Sequence, residues 1–173
     1  KQIKTYVDRM YTIVPLETDF YRRYNYPVYY GGNPLVDAID SRPCKEETFS
    51  EFIRVNGLPD KPIIALLAGS RKQELKFVLP TMLKMIAHFP EYQFVIAGAP
   101  SMTDEDYAPY LQGRQIRILY EMTYRLVSQA TAALVTSGTA TLETALLRTP
   151  QVVCYNGEAA RLSYFLFKTV VKV

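Results

Sequence analysis

From Ile63 onward, short apolar runs alternate with stretches whose apolar residues recur at helical spacing. The first run, Ile63–Leu67, is too short for a helix and ends in Ala68-Gly69-Ser70, which is typical of a strand buried on both faces. A helix is predicted next, with apolar positions from Leu75 to Phe89, and Pro80 is expected to kink or break it. Four more strands are predicted at residues 94–97, 116–119, 132–135 and 151–154.

Helices are predicted between these strands, one beginning after Thr103 as its N-cap and others at residues 124–130, 141–147 and 159–170. Five strands separated by helices of about ten residues indicate repeated βαβ units. The predicted fold is therefore α/β, a Rossmann-like, doubly wound parallel sheet with helices on both faces. Ligands of such sheets bind outside the carboxyl ends of the strands.

The first 45 residues follow a different pattern. Strands are predicted at 10–14 and 28–30, a short helix at 18–24, and a second helix that begins at Pro34 with Asn33 as its N-cap. Two strands and two short helices bury too little surface to fold alone. We therefore predict that residues 1–45 are the end of a preceding α/β domain, with a linker at 41–47 and an internal cut before Lys1. Residues 46–173 then form the main domain.

Composition excludes several classes of site. A hydrophobic content of 49% can supply a core, and a net charge of +3 predicts no nucleic-acid partner, although it suits an anionic ligand or a membrane surface. The single histidine, His88, and the two cysteines, Cys44 and Cys154, give neither a metal-type spacing nor a disulfide framework. No dinucleotide or Walker glycine pattern follows a strand, and no apolar run of about 18 residues could span a bilayer.

The most informative stretch follows the strand predicted at 132–135 and opens a helix. It contains Ser137, Gly138, Thr139, Ala140, Thr141, Leu142 and Glu143. Unpaired N–H groups at a helix start, surrounded by small residues and hydroxyls, form an anion site that suits a diphosphate. Glu143 is placed to accept hydrogen bonds from ribose hydroxyls. The alternative is ordinary capping, with Ser137 or Thr139 as N-cap and Glu143 as the complement of the helix dipole.

A second candidate, Gly69-Ser70-Arg71, also stands at the carboxyl end of a predicted strand. Gly69 permits a tight turn, Ser70 can cap the next helix, and Arg71 offers a fork of donors that matches phosphate. Glu74 could orient Arg71 across one helical turn. The alternative is a capping box built on Ser70 with a solvated ion pair. Because both candidates lie at the same edge of one predicted sheet, each supports the other.

Two further features each have two interpretations. Five tyrosines are interleaved with Arg22 and Arg23, and core or interface aromatics with solvated arginines are favoured over a nucleic-acid stacking surface. The last predicted helix, residues 161–173, is apolar with scattered cations, which suits packing on another domain or, less favoured, lying on a membrane surface. The five tyrosines are Tyr21, Tyr24, Tyr26, Tyr29 and Tyr30.

Together with their surroundings, the two candidate sites resemble the lipid-A-disaccharide synthase family. The similarity covers essentially all 173 residues, and the spacing between the matching stretches also fits. The string from Ser137 to Glu143 is quite specific, whereas Gly69-Ser70-Arg71 alone is weak. The matching stretches are residues 6–15 with 20–21, 32–37, 66–74 and 133–143.

The resemblance implies a GT-B architecture, in which two Rossmann-like domains face each other across a cleft. Residues 1–45 would then belong to the acceptor-side N-terminal domain. Residues 46–173 would be most of a nucleotide-sugar-binding C-terminal domain that is incomplete at its C-terminal end. The resemblance also implies a cytoplasmic protein held peripherally at the inner face of the bacterial inner membrane, with no nucleic-acid partner, and it leaves a homodimer open.

The activity implied is an inverting, metal-independent glycosyl transfer without a cofactor. UDP-2,3-diacylglucosamine and 2,3-diacylglucosamine 1-phosphate would give a β-1,6-linked disaccharide and UDP. Arg71 would stabilise the departing diphosphate. The implied donor-binding residues are Gly69, Ser70, Arg71, Ser137, Gly138, Thr139, Ala140, Thr141 and Glu143.

The sequence departs from the family pattern at two places. Gly32-Asn33-Pro34 stands where many relatives have Gly-His-Pro, and Ala68 stands where many have proline. The family's proposed catalytic aspartate belongs to the front of the N-terminal domain, so no general base is assigned here and the chain alone is expected to be inactive. The alternatives are another GT-B enzyme, of the UDP-GlcNAc 2-epimerase or peptidoglycan glycosyltransferase type, and a non-catalytic interaction module; the string at 32–37 favours lipid A.

Overall fold

Helices and strands alternate along the chain as the apolar pattern predicted. A computed structural model describes residues 2–155, so the helix predicted at 159–170 and the apolar segment 161–173 lie outside the described residues. The chain divides into two compact units, Lys1–Pro43 and Cys44–Val173, called here the first and second unit. Their assignment to the acceptor side and the nucleotide side of an enzyme stays a prediction.

The first unit is built on two short parallel strands. The predicted strand at 10–14 ends at Thr12, because Pro15 opens the next helix with Val14 as its N-cap. The side chain of Asn33 accepts a hydrogen bond from the Leu35 amide at 3.0 Å, which confirms the predicted cap. The elements are α1 (Gln2–Tyr6), β1 (Met10–Thr12), α2 (Pro15–Arg23), β2 (Val28–Tyr30) and α3 (Pro34–Asp40), with β1 parallel to β2.

The tyrosines of the first unit do not form a core, so that part of the prediction is wrong. None of the five is buried, and Tyr24, Tyr29 and Tyr30 are at least half exposed. A two-stranded sheet offers a side chain too few neighbours to exclude water from it. Aromatic contacts such as that between Tyr11 and Tyr29, with ring centroids 5.8 Å apart, therefore lie at the surface of this unit.

The second unit contains the five-stranded sheet. Its elements are α4 (Phe49–Asn56), β3 (Ile63–Leu67), α5 (Lys72–Lys84), a 3₁₀ turn (Met85–His88), β4 (Gln93–Gly98), α6 (Asp104–Leu111), β5 (Arg117–Tyr120), α7 (Thr123–Gln129), β6 (Ala132–Thr136), α8 (Thr139–Leu146) and β7 (Gln151–Cys154). Helix α5 continues through Pro80, and the change to a 3₁₀ turn comes only at Met85. Helix α4 was not predicted, although Thr48 and Glu51 form a capping box before it and Gly57 follows it at φ +61°.

All five strands of the second unit run parallel, in the order β5-β4-β3-β6-β7. The fold class predicted from the sequence is confirmed. The chain leaves β3 toward β4 and β5 on one side and returns to β6 and β7 on the other, so the direction of winding changes between β3 and β6. Leu67 pairs with Val135, which brings the carboxyl ends of these two strands level. That point is where doubly wound sheets bind their ligands.

Strand β3 is buried on both faces, as its unbroken apolar run predicted. Ile64 and Leu66 pack into one core with α5 and α6, where Leu79 and Tyr107 are buried. Ile63, Ala65 and Leu67 face the other core, formed with α4 and α7. This arrangement fixes the position of the loops that leave β3 and β6.

Candidate active site

An open cleft of about 210 Å³ lies where the carboxyl ends of β3, β4 and β6 meet. The first candidate stretch follows β6 and the second follows β3, so the structure brings the two together as the sequence predicted. The residues that line the cleft are Leu67, Gly69, Ser70, Glu74, Ala97, Gly98, Ala99, Thr123, Thr136, Ser137, Gly138, Thr139, Ala140 and Glu143.

The start of α8 supplies backbone donors to this cleft. The N-cap is Gly138, and no side chain caps the helix, so the capping interpretation with Ser137 or Thr139 as N-cap is wrong. Within the described residues, no protein group accepts a hydrogen bond from the amides of Gly138, Thr139 and Ala140. Gly138 has φ +157° and ψ −160°, a conformation restricted to glycine. These amides can donate to an anion.

The start of α5 is arranged differently. Its N-cap is Arg71, and the Oε2 atom of Glu74 accepts hydrogen bonds from the amides of Ser70 at 2.8 Å and Arg71 at 3.3 Å. The Glu74 half of a capping box is therefore present, with Arg71 as the N-cap and not Ser70 as the alternative had it, because a guanidinium has no acceptor to complete the box. Gly69 has φ +104°, and a Cβ there would lie 2.7 Å from Glu74 Cβ. Glycine is required because the Glu74 side chain crosses its backbone closely.

Two of the predicted site residues are not among those that line the cleft in the described part of the chain. The Arg71 side chain is 82% exposed, and its Nη1 lies 3.8 Å from Glu74 Oε1. This pair is the solvated ion pair of the alternative interpretation, and it leaves the guanidinium at the surface beside the cleft. The Thr141 hydroxyl donates to the Gly138 carbonyl at 2.7 Å, which braces the loop before α8.

Glu143 lines the cleft from the second turn of α8, beyond the first turn in which a charge complements the helix dipole. Its Oε1 accepts a hydrogen bond from the Tyr124 hydroxyl at 2.9 Å. Burial, and then the bond to Glu143, raises the pKa of Tyr124. Tyr124 was not predicted as a site residue, because nothing local to α7 links it to Glu143 in sequence.

The cleft is also lined by Ala97, Gly98 and Ala99, at the carboxyl end of β4. These residues were not predicted as part of the site, although they stand at the end of a predicted strand. A Cβ at Gly98 would lie 2.5 Å from the Tyr120 ring, so the absence of a side chain lets the ring pack on the strand. Tyr120 is held there by a hydrogen bond from its hydroxyl to Asp104 at 2.8 Å. The small residues at three neighbouring strand ends were the available signal.

The chemistry of the cleft is that of hydrogen bonding to an anion that also carries hydroxyl groups. The backbone N–H groups at α8 suit phosphate oxygens, whereas Glu143 accepts hydrogen bonds from hydroxyls. Residues 2–155 contain no group of three or more His, Cys, Asp or Glu side chains arranged to hold a metal ion. None of the helices in the same range combines the length and apolarity needed to cross a membrane.

Comparison with known proteins decides the family. The family model for lipid-A-disaccharide synthetase matches residues 1–173. The chain belongs to that family. Relatives of this family include the lipid-A-disaccharide synthases of Trichlorobacter lovleyi, 34% identical over 180 residues, and of Syntrophus aciditrophicus, 37% identical over 181 residues. Both alignments cover 100% of this chain but only 45% and 46% of the relative, so the chain spans about half the length of the synthases it matches.

A solved structure supports the fold of this family member. The UDP-GlcNAc 2-epimerase of Methanocaldococcus jannaschii has a TM-score of 0.58 with 17% sequence identity. The match covers 84% of this chain and 45% of the epimerase. At this identity the likeness concerns the fold alone.

Proposed function

We propose that the second unit is the nucleotide-binding half of a glycosyltransferase of lipid A biosynthesis, and that its cleft binds the UDP part of a UDP-sugar. One observation supports this above the others. The family's specific string begins at the carboxyl end of β6, beside the point where the sheet changes winding direction, and leaves its helix-start amides without protein partners. The diphosphate would lie at these amides, with the ribose beside Glu143.

The reaction proposed for the whole enzyme is an inverting displacement. The 6-hydroxyl oxygen of 2,3-diacylglucosamine 1-phosphate attacks the anomeric carbon of UDP-2,3-diacylglucosamine, and its proton passes to a base outside this chain. The bond from the anomeric carbon to the diphosphate breaks, which gives the β-1,6 disaccharide and UDP. In this chain the α8 amides and Arg71 would stabilise the negative charge on the departing diphosphate.

The other properties implied by the family resemblance remain proposals. They are catalysis without a metal or cofactor and attachment to the inner face of the inner membrane, while assembly as a homodimer stays open. An epimerase or a peptidoglycan transferase would also bind UDP in such a cleft, but family membership favours the lipid A reaction. An interaction module would bind no UDP.

We expect UDP to bind the purified chain and Thr139→Glu to weaken that binding at least about tenfold. A carboxylate at the first residue of α8 would repel a diphosphate only a few ångströms away. The same charge complements the helix dipole, so the free energy of unfolding should not fall. Titration calorimetry gives the affinity and thermal melting gives the stability.

Thr139→Gln is the matched control for that experiment, because it has nearly the size of glutamate without the charge. It should retain most of the affinity. If the unmodified chain bound no UDP, or if both variants bound it equally well, the start of α8 would not be the site of UDP binding.

In the full-length enzyme, we expect Arg71→Ala to lower turnover by on the order of 10²-fold or more, as for other preorganised charge stabilisers. The Arg71 side chain is largely exposed, so stability should change by under about 1 kcal/mol. Steady-state rates and melting temperatures separate the two effects.

Arg117→Ala is the control for Arg71, since Arg117 is exposed at the opposite, amino-terminal end of β5. Its turnover should be unchanged. A large fall in melting temperature with normal turnover for Arg71→Ala would make Arg71 a structural residue.

A further inference from the structure

The hydrogen bond from Tyr124 to Glu143 joins two helices that are separately fixed in the fold. In α7, Leu126 and Val127 lie two and three residues after Tyr124, and both are buried in the core. In α8, Thr144 is buried beside Glu143, and its hydroxyl donates to the Ala140 carbonyl at 2.7 Å. The bond therefore links the Glu143 carboxylate to a second packed helix, and it is the one hydrogen bond that the described residues make with this carboxylate.

A carboxylate at the end of a glutamate side chain rotates readily unless a partner holds it. The Tyr124 hydroxyl occupies one lone pair of Oε1, and Oε2 accepts no hydrogen bond from the described residues. Glu143 lines the cleft, and so does Thr123, the neighbour of Tyr124, so a ligand in the cleft would lie beside the Glu143 side chain. Two vicinal hydroxyls of a sugar present two donors that suit such a carboxylate.

We propose that Tyr124 is a positioning residue for nucleotide binding, which fixes the Glu143 carboxylate so that it accepts hydrogen bonds from the ribose hydroxyls. This inference rests on the proposed function, because it assumes that a ribonucleotide occupies the cleft. A carboxylate that is already ordered loses less conformational entropy when the ligand binds. The raised pKa of Tyr124 is consistent with this role, since the phenol keeps its proton and remains a donor.

The test compares two ligands on two proteins, the unmodified chain and Tyr124→Phe. Tyr124→Phe keeps the ring and removes the hydroxyl, so it removes the hydrogen bond to the Glu143 carboxylate. We expect UDP binding to weaken about fivefold to tenfold, which is the usual effect of losing one hydrogen bond. Binding of 2′,3′-dideoxy-UDP, which lacks the hydroxyls that Glu143 would bind, should change by less than about twofold. Titration calorimetry of the 173-residue chain measures all four affinities.

Tyr92→Phe is the matched control, because Tyr92 lies before β4 at the amino-terminal edge of the sheet, away from the cleft. It should bind both ligands as the unmodified chain does. Equal weakening of both ligands by Tyr124→Phe, or no weakening of either, would overturn the positioning role while UDP binding to the unmodified chain left the proposed function intact. Failure of the unmodified chain to bind UDP would refute the proposed function itself, and the inference with it.

Discussion

The 173-residue chain is expected to form no disaccharide when it is incubated with UDP-2,3-diacylglucosamine and 2,3-diacylglucosamine 1-phosphate. Glycosyl transfer requires the acceptor hydroxyl, a base and the anomeric carbon to be held together, and this arrangement supplies most of the entropic advantage of the enzyme. Both carboxylates that line the cleft already have partners: Glu74 holds the Ser70 and Arg71 amides, and Glu143 holds the Tyr124 hydroxyl. The remaining acceptor positions of Glu143 are assigned to the ribose hydroxyls, so neither carboxylate is proposed as the base.

Mass spectrometry of the reaction mixture tests this expectation. The full-length lipid-A-disaccharide synthase of Coxiella burnetii, 34% identical to this chain over 177 residues, provides the positive control. UDP binding by the same preparation of the chain would show that its cleft is folded. Disaccharide formed at the rate of the full-length enzyme would place the acceptor site and the base within these 173 residues.

Arg125→Ala is expected to lower the free energy of unfolding of the second unit by about 3 kcal/mol. Arg125 in α7 donates two hydrogen bonds to the Glu47 carboxylate, at 3.0 and 2.5 Å, and the side chains are only 18% and 9% exposed. Removing the guanidinium leaves a carboxylate that is largely shielded from water without its counter-charge. Gln129 also holds this segment, through a 2.6 Å hydrogen bond to the Glu47 carbonyl. Denaturant unfolding measures the loss.

A double variant, Arg125→Met with Glu47→Met, distinguishes loss of the ion pair from loss of packing. It removes both charges and keeps an unbranched side chain at residue 125 beside the Phe52 ring, so it should recover most of the stability. Lys72→Ala breaks an ion pair with Asp106 in which the lysine is 78% exposed, and it should leave the free energy of unfolding almost unchanged. If Arg125→Ala cost no more than Lys72→Ala, the pair would be an ordinary surface contact.

The Arg125–Glu47 pair also shows a contact that the composition of the predicted linker did not reveal. The segment 41–47 was predicted as a polar linker from its composition, and Glu47 is charged like its neighbour Glu46. In the structure Glu47 is nevertheless anchored to a helix 78 residues further along the chain. Composition describes the average solvation of a segment, but it does not reveal a partner that is distant in sequence.

The sequence by itself determined the five-stranded α/β fold of the second unit and the loops that form its cleft. Strands such as β3 and β4 could be located because an unbroken apolar run of four or five residues satisfies both faces of a parallel sheet. The loops at Gly69 and Ser137 could be located because the ligand side of such a sheet is fixed by its chirality and strand direction. The string from Ser137 to Glu143 then indicated the family.

Only the tertiary structure decided which backbone amides in those loops have a hydrogen-bond partner within the protein and which could bind a ligand. Glu74 reaches back to the Ser70 and Arg71 amides, whereas the start of α8 has no side-chain cap, and both sequences were equally compatible with capping. Tyr124 meets Glu143 because α7 and α8 pack together, a contact between residues 19 positions apart that no periodic pattern encodes. Local sequence sets backbone conformation and burial, but hydrogen-bond partners across elements depend on how those elements pack.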